Sequence, residues 1–383
     1  MPVGGESHEN YTFHIEHSTL RAEEGKARVI RNTQQDAVPG SVVDTYDRPL
    51  KSLRLSVTDR CNLRCSYCMP EQDYVWLPRE DVLTLEDMAT LTGYFTDLGV
   101  DRVRLTGGEP LLRRGLSGLI RLLRQNPLIK DIALTTNGIL LADYAEELYE
   151  AGLHRITVSL DTLKPERFHQ LTRRDEFARV IEGIQSVVRT GFTGLKLDTV
   201  AIRGFNDDEL VDLIEFGKQV QAEVRFIEYM DVGGANEWSQ EKVLSRAAML
   251  TILAVRYGPI EPLPERGAAP AQRFVLSDGT TFGIIPSTTT PFCATCDRSR
   301  VTADGMWYRC LYATTGTDLR KSLRAGASDD EMRSLIRAGW EDRRDRGAEE
   351  RKALERDGLR VGGLIGIEKL REDPHLEMHA RGG

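Results

Sequence analysis

Cys61, Cys65 and Cys68 stand in a C-x3-C-x2-C run, Arg60-Cys61-Asn62-Leu63-Arg64-Cys65-Ser66-Tyr67-Cys68-Met69. Three thiolates this close together can share one metal centre. Thiolates are soft ligands that select zinc, copper(I) or iron–sulfur clusters. A closed zinc site or an ordinary four-iron cluster takes four ligands, and the run supplies three. A site one ligand short keeps a coordination position open for chemistry. A distant fourth ligand would instead close a structural site, and the spacing leaves that alternative standing.

A second group, Cys293, Cys296 and Cys310, reads C-x2-C-x13-C, again three thiolates. A zinc ribbon needs a fourth donor. The histidines between Lys51 and Tyr308 are His154 and His169, neither of them local, whereas Asp297 could serve. Arg298 and Arg300 follow, alternating with Ser299. By themselves they read as solvated strand residues; beside a metal centre they could grip an anion.

The elements that must position these groups are short strands alternating with helical patterns. Strands are expected at 53–57, 102–106, 131–134, 155–160, 195–202 and 223–229, and Thr84 with Asp87 has the form of a capping box. Six strands with intervening helices imply parallel βαβ units and an α/β fold, a partial (β/α)6 TIM-type barrel. Gly107-Gly108-Glu109-Pro110, Thr135 with Asn137, Ser159 with Asp161, and Met230 all close strands, as the first cysteines do. The active site of a parallel barrel lies on that face. Arg54, Arg104, Lys196 and Arg225 alternate with apolar neighbours, which aims them into the lumen. Buried cations need counter-charge. Asp198 and Glu228 are the expected lumen carboxylates, and a phosphate chain would satisfy the rest. Edge strands with their cations in water are the alternative.

Beyond residue 240 the texture changes. A helix is expected over 242–257, a Pro- and Gly-rich stretch over 258–270, and hairpins around Asp278-Gly279 and Asp304-Gly305. Helical patterns return over 318–324 and 329–346. The expected organisation is therefore an N-terminal extension, 1–43, poor in apolar clusters and disordered; a barrel, 44–240; and a C-terminal α+β extension, 241–383, holding the second cysteine group.

With 383 residues the chain exceeds what one core usually holds. No apolar run approaches the roughly 20 residues that span a bilayer, and the polar start is unlike a signal peptide. Two separated groups of three cysteines are unlike a disulfide framework and fit a reducing cytoplasm. A net charge of −8 argues against nonspecific nucleic-acid binding.

The first cysteine run resembles the radical S-adenosylmethionine enzymes, whose C-x3-C-x-aromatic-C signature is met by Cys61, Cys65, Tyr67 and Cys68. Longer blocks are similar to the GTP 3′,8-cyclase family among them: Leu53 to Cys61, Arg104 to Arg113, Thr135-Thr136-Asn137-Gly138, Arg225-Phe226-Ile227-Glu228 and Phe292 to Arg300. The resemblance spans roughly Asp44 to Gly383. It implies two [4Fe-4S] clusters facing each other across the barrel cavity, one on Cys61, Cys65 and Cys68, the other on Cys293, Cys296 and Cys310. It implies S-adenosylmethionine held by Tyr67, Gly108, Ser159 and Met230. GTP would be held by Arg54, Arg104, Thr135, Lys196, Arg225, Arg298 and Arg300, with Arg298, Arg300, Gly382 and Gly383 in catalytic roles. The implied reaction is reductive cleavage of S-adenosylmethionine to a 5′-deoxyadenosyl radical, which takes hydrogen from ribose C3′ of GTP. Ring closure on C8 then gives 3′,8-cyclo-7,8-dihydro-GTP, opening molybdenum-cofactor biosynthesis. The implied partners are an electron donor and a downstream cyclic pyranopterin monophosphate synthase, and a homodimer is compatible with the resemblance. Two positions depart from the family pattern: Asp47 replaces a usual Gly, and Arg381 a usual apolar residue before the Gly pair.

Two other readings stand beside this one. A radical S-adenosylmethionine enzyme that modifies peptides would usually carry more C-terminal cysteines and would not need a cationic lumen. A non-catalytic zinc protein would contain zinc and no inorganic sulfide.

Overall fold

The computed structural model describes residues 41–71, 73–232, 238–264, 267–356 and 372–382. Nearly all of the expected extension 1–43 lies outside the described residues, as does Gly383.

Six strands, β1 (Ser52–Ser56), β2 (Arg102–Thr106), β3 (Asp131–Thr136), β4 (Arg155–Ser159), β5 (Lys196–Ala201) and β6 (Glu223–Glu228), pair in parallel in chain order. Helices α1 (Leu85–Asp97), α2 (Leu116–Arg124), α3 (Leu141–Glu150), α4 (Pro165–Thr172), α5 (Phe177–Thr190) and α6 (Leu210–Gln219) lie between them in the chain. After α7 (Arg246–Tyr257) come β7 (Glu261–Pro262), β8 (Gln272–Val275), β9 (Thr281–Ile285), β10 (Arg298–Val301), β11 (Met306–Tyr308) and β12 (Thr317–Asp318). Helices α8 (Leu319–Arg324), α9 (Asp329–Glu341) and α10 (Gly347–Arg356) follow.

The C-terminal region continues the barrel sheet. β10 pairs in parallel with β1, and β9 in parallel with β6, so parallel strands run β10-β1-β2-β3-β4-β5-β6-β9. The antiparallel strands β11-β12 and β8-β7 finish the two ends without pairing to each other, which leaves a partial barrel. Both expected hairpins form, and the second strand of one and the first of the other reach the barrel edges.

Alternation along the strands divides the chain's chemistry between two faces. Leu53, Leu55, Val103, Leu105, Leu197 and Phe226 belong to one continuous apolar core and are buried completely or nearly so. Each such side chain contributes about 1.5–3 kcal/mol. Their neighbours Arg54, Arg104 and Arg225 turn the other way, into the lumen.

Local chemistry explains where the helices begin and stop. Thr84 and Asp87 cap α1 reciprocally, and Ser328 with Glu331 does the same for α9. The helical stretch expected over 164–190 is broken because Arg173 takes a left-handed conformation, φ +58°, and ends α4. α7 starts at Arg246 because the Ser245 side chain accepts the Ala248 N–H. α9 stops at Glu341, short of the expected 346, and this frees Arg343 to turn inward. Asp47 also has a left-handed φ of +60°. Asp is among the few side chains that tolerate it.

Candidate active site

The first cysteine loop leaves the end of β1 and folds back on itself. Amides of Cys68 and Met69 donate to the Cys65 carbonyl at 3.0 and 2.8 Å, turning the loop so that the thiols gather. Amides of Arg64 and Ser66 donate to carbonyls of Thr172 and Leu171 at the end of α4. Behind the loop lies Gly107-Gly108. A Cβ on Gly107 would run into the Thr58 carbonyl, and one on Gly108 into the Arg60 carbonyl. The glycine pair is thus required by close backbone packing. Glu109, fully buried, accepts from the amides of Leu111 and Asn137 and from the Thr136 hydroxyl at 2.7–3.0 Å. Burial pushes its carboxyl up to about 7 despite these bonds. Asn137, fixed in this way, donates to Asn62 at 2.7 Å and approaches Cys61 Sγ at 4.0 Å. Tyr67 donates to Asp161 at the end of β4, 2.7 Å away.

The second cysteine group is held from other directions. Cys293 and Cys296 flank a single turn, with the Cys296 amide on the Cys293 carbonyl at 3.2 Å. Cys310 follows β11. Arg48 Nη1 donates to the Cys293 carbonyl at 2.9 Å, and Arg343 Nη1 to the Cys296 carbonyl at 2.8 Å. Arg381 Nη1 donates to the carbonyl of Leu311, beside Cys310, at 2.8 Å.

All six cysteines line one cavity of about 480 Å³. Its wall carries a row of guanidinium groups. Arg300 on β10, Arg54 on β1 and Arg104 on β2 stand directly opposite one another in the strand register. Adjacent strands lie only about 4.8 Å apart, so these like charges repel. Burial first, and then Arg300 and Arg104, hold the Arg54 guanidinium well below its usual range. Burial likewise brings Arg104 and Arg300 down to about 10. Arg104 donates to the hydroxyls of Thr135 and Thr157 at 2.8 and 3.2 Å. Asp198, across the lumen, offers one carboxylate to the row. A row of three buried cations suits a polyanion.

The donor set fits iron–sulfur chemistry. The six thiols are free of disulfides. Among the described residues no three His, Cys, Asp or Glu side chains close to the shell of a single ion. Iron–sulfur clusters are held by cysteine thiolates, which both triads supply. Burial pushes the Cys61 thiol up to about 11 and raises Cys65, Cys68, Cys293 and Cys310 as well. Cys296 falls to about 6, because Arg298 and Arg343 outweigh its burial. Arg48, Arg343 and Arg381 bring three buried guanidinium groups to the backbone carbonyls of Cys293, Cys296 and Leu311. Such a shell suits a bound anionic cluster.

Tyr67, Gly108, Ser159 and Met230 line the cavity, as do Arg54, Arg104, Thr135, Arg225, Arg298 and Arg300. Lys196 lies at the start of β5, against an adjoining pocket that shares Arg155 and Arg225 with the cavity. Gly382 reaches the lumen, where its carbonyl accepts from both Arg54 and Arg300. Glu228 is a correction. It lies three residues beyond Arg225 and so faces the opposite side of β6. There it accepts from the amides of Arg246, Thr288 and Thr289, and among the described residues no ion pair joins it to a lumen cation. Arg225 is paired instead with Glu223, which also holds Arg273. The sequence reading missed Arg48 and Arg343. Arg343 sits in the charged run 341–346, which has the pattern of a solvated helix face. The spacing of Asp44 and Arg48 was a usable signal, because the two pair at 2.6 Å.

Partial parallel barrel, open three-thiol loop and glycine-backed cavity together define a radical S-adenosylmethionine enzyme. Comparison with known proteins agrees: residues 55–217 match the Radical SAM superfamily and residues 222–349 match Molybdenum Cofactor Synthesis C. The chain is 54% identical to GTP 3',8-cyclase 3 of Mycobacterium bovis over 89% of its own length and 90% of that protein. It is 43% identical to the GTP 3',8-cyclase of Aquifex aeolicus over 84% of its length and all of that protein. The chain belongs to the GTP 3′,8-cyclase family. Streptococcus suis SuiB bound to S-adenosylmethionine shares the fold, with a TM-score of 0.55 at 17% identity over 76% of this chain and 69% of that one.

Proposed function

We propose that this chain converts GTP to 3′,8-cyclo-7,8-dihydro-GTP with two [4Fe-4S] clusters, one on each cysteine triad. The observation that carries the reading is the single cavity lined by both triads and by the Arg300-Arg54-Arg104 row. When bound, the first cluster and S-adenosylmethionine supply a 5′-deoxyadenosyl radical.

The protein's own residues position the reactants. Tyr67, Gly108, Ser159 and Met230 hold S-adenosylmethionine beside the first triad. Arg54, Arg104, Thr135, Lys196, Arg225, Arg298 and Arg300 hold GTP, with its triphosphate along the cations and its guanine toward the second triad. Fixed in this way, ribose C3′ faces the cosubstrate and C8 stays within reach of C3′, an orientation that replaces a bimolecular encounter. Gly382, with Gly383 beyond it, brings backbone carbonyl into the same space. The product passes to a cyclic pyranopterin monophosphate synthase, and an external cytoplasmic donor supplies electrons.

The product is an isomer of GTP, so the test follows an atom. Reconstituted anaerobic protein, dithionite, S-adenosylmethionine and GTP deuterated at C3′ are expected to give 5′-deoxyadenosine carrying that deuterium, and a new GTP isomer. Unlabelled 5′-deoxyadenosine with intact GTP would refute the reading.

A further inference from the structure

Arg343 and Arg48 do not line the cavity, yet both are buried and both touch the second cysteine segment. Arg343 enters just past the end of α9. It stacks over the Trp340 ring at 4.4 Å, and its Nη1 lies 3.4 Å from Asp44 Oδ2. The same guanidinium donates to Cys296 twice, from Nη1 to the carbonyl at 2.8 Å and from Nη2 to Sγ at 3.5 Å. Asp44 also binds Arg48 Nε at 2.6 Å, and Arg48 reaches the carbonyls of Cys293 and Asp345 at 2.9 Å. The Thr45 hydroxyl donates to the Arg343 carbonyl at 2.8 Å, and Trp340 Nε1 donates to the Arg48 carbonyl at 3.1 Å. Segments some 300 residues apart in the chain are thus locked around Asp44.

We infer that Arg343 is a positioning residue for the second cysteine triad, one that fixes Cys296 by one N–H bond to its sulfur and one to its carbonyl and sets the reduction potential of the cluster held there. The inference rests on the two-cluster reading above. Its physical ground is that hydrogen bonds and charge at a cluster's sulfurs tune its potential. A buried cation stabilises the reduced form, which is one charge more negative, and so raises the potential. Arg343 does not line the cavity, and it meets the site through Cys296. Arg298, which also lies beside Cys296, lines the cavity and serves the substrate as well.

The test is an anaerobic potentiometric titration of the full chain, read by electron paramagnetic resonance, with iron and sulfide counted first. In Arg343→Met the one-electron reduction equilibrium of the second cluster is expected to move about tenfold toward the oxidised form, about 59 mV more negative. The first cluster should stay in place. Arg343→Lys keeps the charge beside Asp44 and is expected to recover part of the shift. A negative shift in either variant, confined to the second cluster, carries the inference. No shift in whichever variants fold, or an equal shift in both clusters, overturns it. Wild-type protein with only four irons would instead overturn the two-cluster reading.

Discussion

Arg300 Nη1 donates to the Gly382 carbonyl at 2.7 Å. Arg54 Nη1 reaches the same oxygen at 3.1 Å, and Arg300 also meets the Arg381 carbonyl at 3.0 Å. The tail thereby supplies acceptor oxygens to the most crowded part of the cation row. Arg381 fits beside the Gly pair because its guanidinium stacks over the Tyr308 ring at 4.3 Å and donates to backbone carbonyls of His375 and Leu311.

Gly382 has φ +64°, and a Cβ there would strike Thr106 Cγ2. The left-handed conformation alone costs a side chain roughly 1–2 kcal/mol. Gly382→Ala is therefore expected to lower GTP conversion at least about tenfold, the kinetic equivalent of roughly 1.4 kcal/mol. Reductive cleavage of S-adenosylmethionine should persist. Product formation and 5′-deoxyadenosine release, measured together, check this, and coupled wild-type turnover would count against a seated tail.

Cys293→Ala should separate the two triads. Iron and sulfide are expected to fall from about eight to about four of each per chain. GTP conversion should cease while some cleavage of S-adenosylmethionine remains. Iron analysis with a 5′-deoxyadenosine assay reads both, and complete loss of cleavage at normal first-cluster content would contradict separate roles.

Lys196 gives a pH signature. Burial, then Arg225 and Arg155, bring its amine down to about 7. A bound triphosphate favours the charged form, so GTP binding takes up a proton above that value. The dissociation constant is expected to rise with pH from about 7, by at most about tenfold per unit, or 1.36 kcal/mol. Lys196→Gln should weaken binding at pH 7 and flatten the slope. Calorimetry across that range decides it; a wild-type slope retained in the variant would remove Lys196 from the phosphate site.

His375 ties down the tail, with Nε2 2.7 Å from Asp304 and Nδ1 2.8 Å from Asp373. Burial alone would lower its pKa, but Asp304 and then Asp373 raise it on balance. For Asp304 burial pulls upward, yet His375 brings the net shift down. The histidine part of this stability is therefore full below about 6.5, the unfolded value, and is lost as pH rises through the raised folded value. The Asp304 part is present above about 3.9 and is lost as pH falls through its depressed value. The difference in thermal midpoint between wild type and His375→Gln should shrink as pH rises from about 6 to 9. A difference independent of pH would show that the ion pair does not hold the tail.

The thiol triads, the strands behind them, and the inward aim of Arg54, Arg104 and Arg225 were legible in the residues alone. These are local facts, fixed by spacing within a loop and by alternation along a strand. The same alternation, applied consistently, puts the Glu228 side chain on the opposite face from Arg225, where it binds amides at the cavity's edge. That the parallel sheet borrows β9 and β10 from beyond residue 240 emerged with the folded chain. It alone stood Arg300 opposite Arg54, brought the Gly382 carbonyl to both, and turned Arg343 from a charged run into a buried grip on Cys296. The Gly382 contacts join residues 82 and 328 positions apart and depend on strand order, and the Arg343 grip depends on where α9 ends. No local periodicity encodes either, because both follow from how the whole core packs.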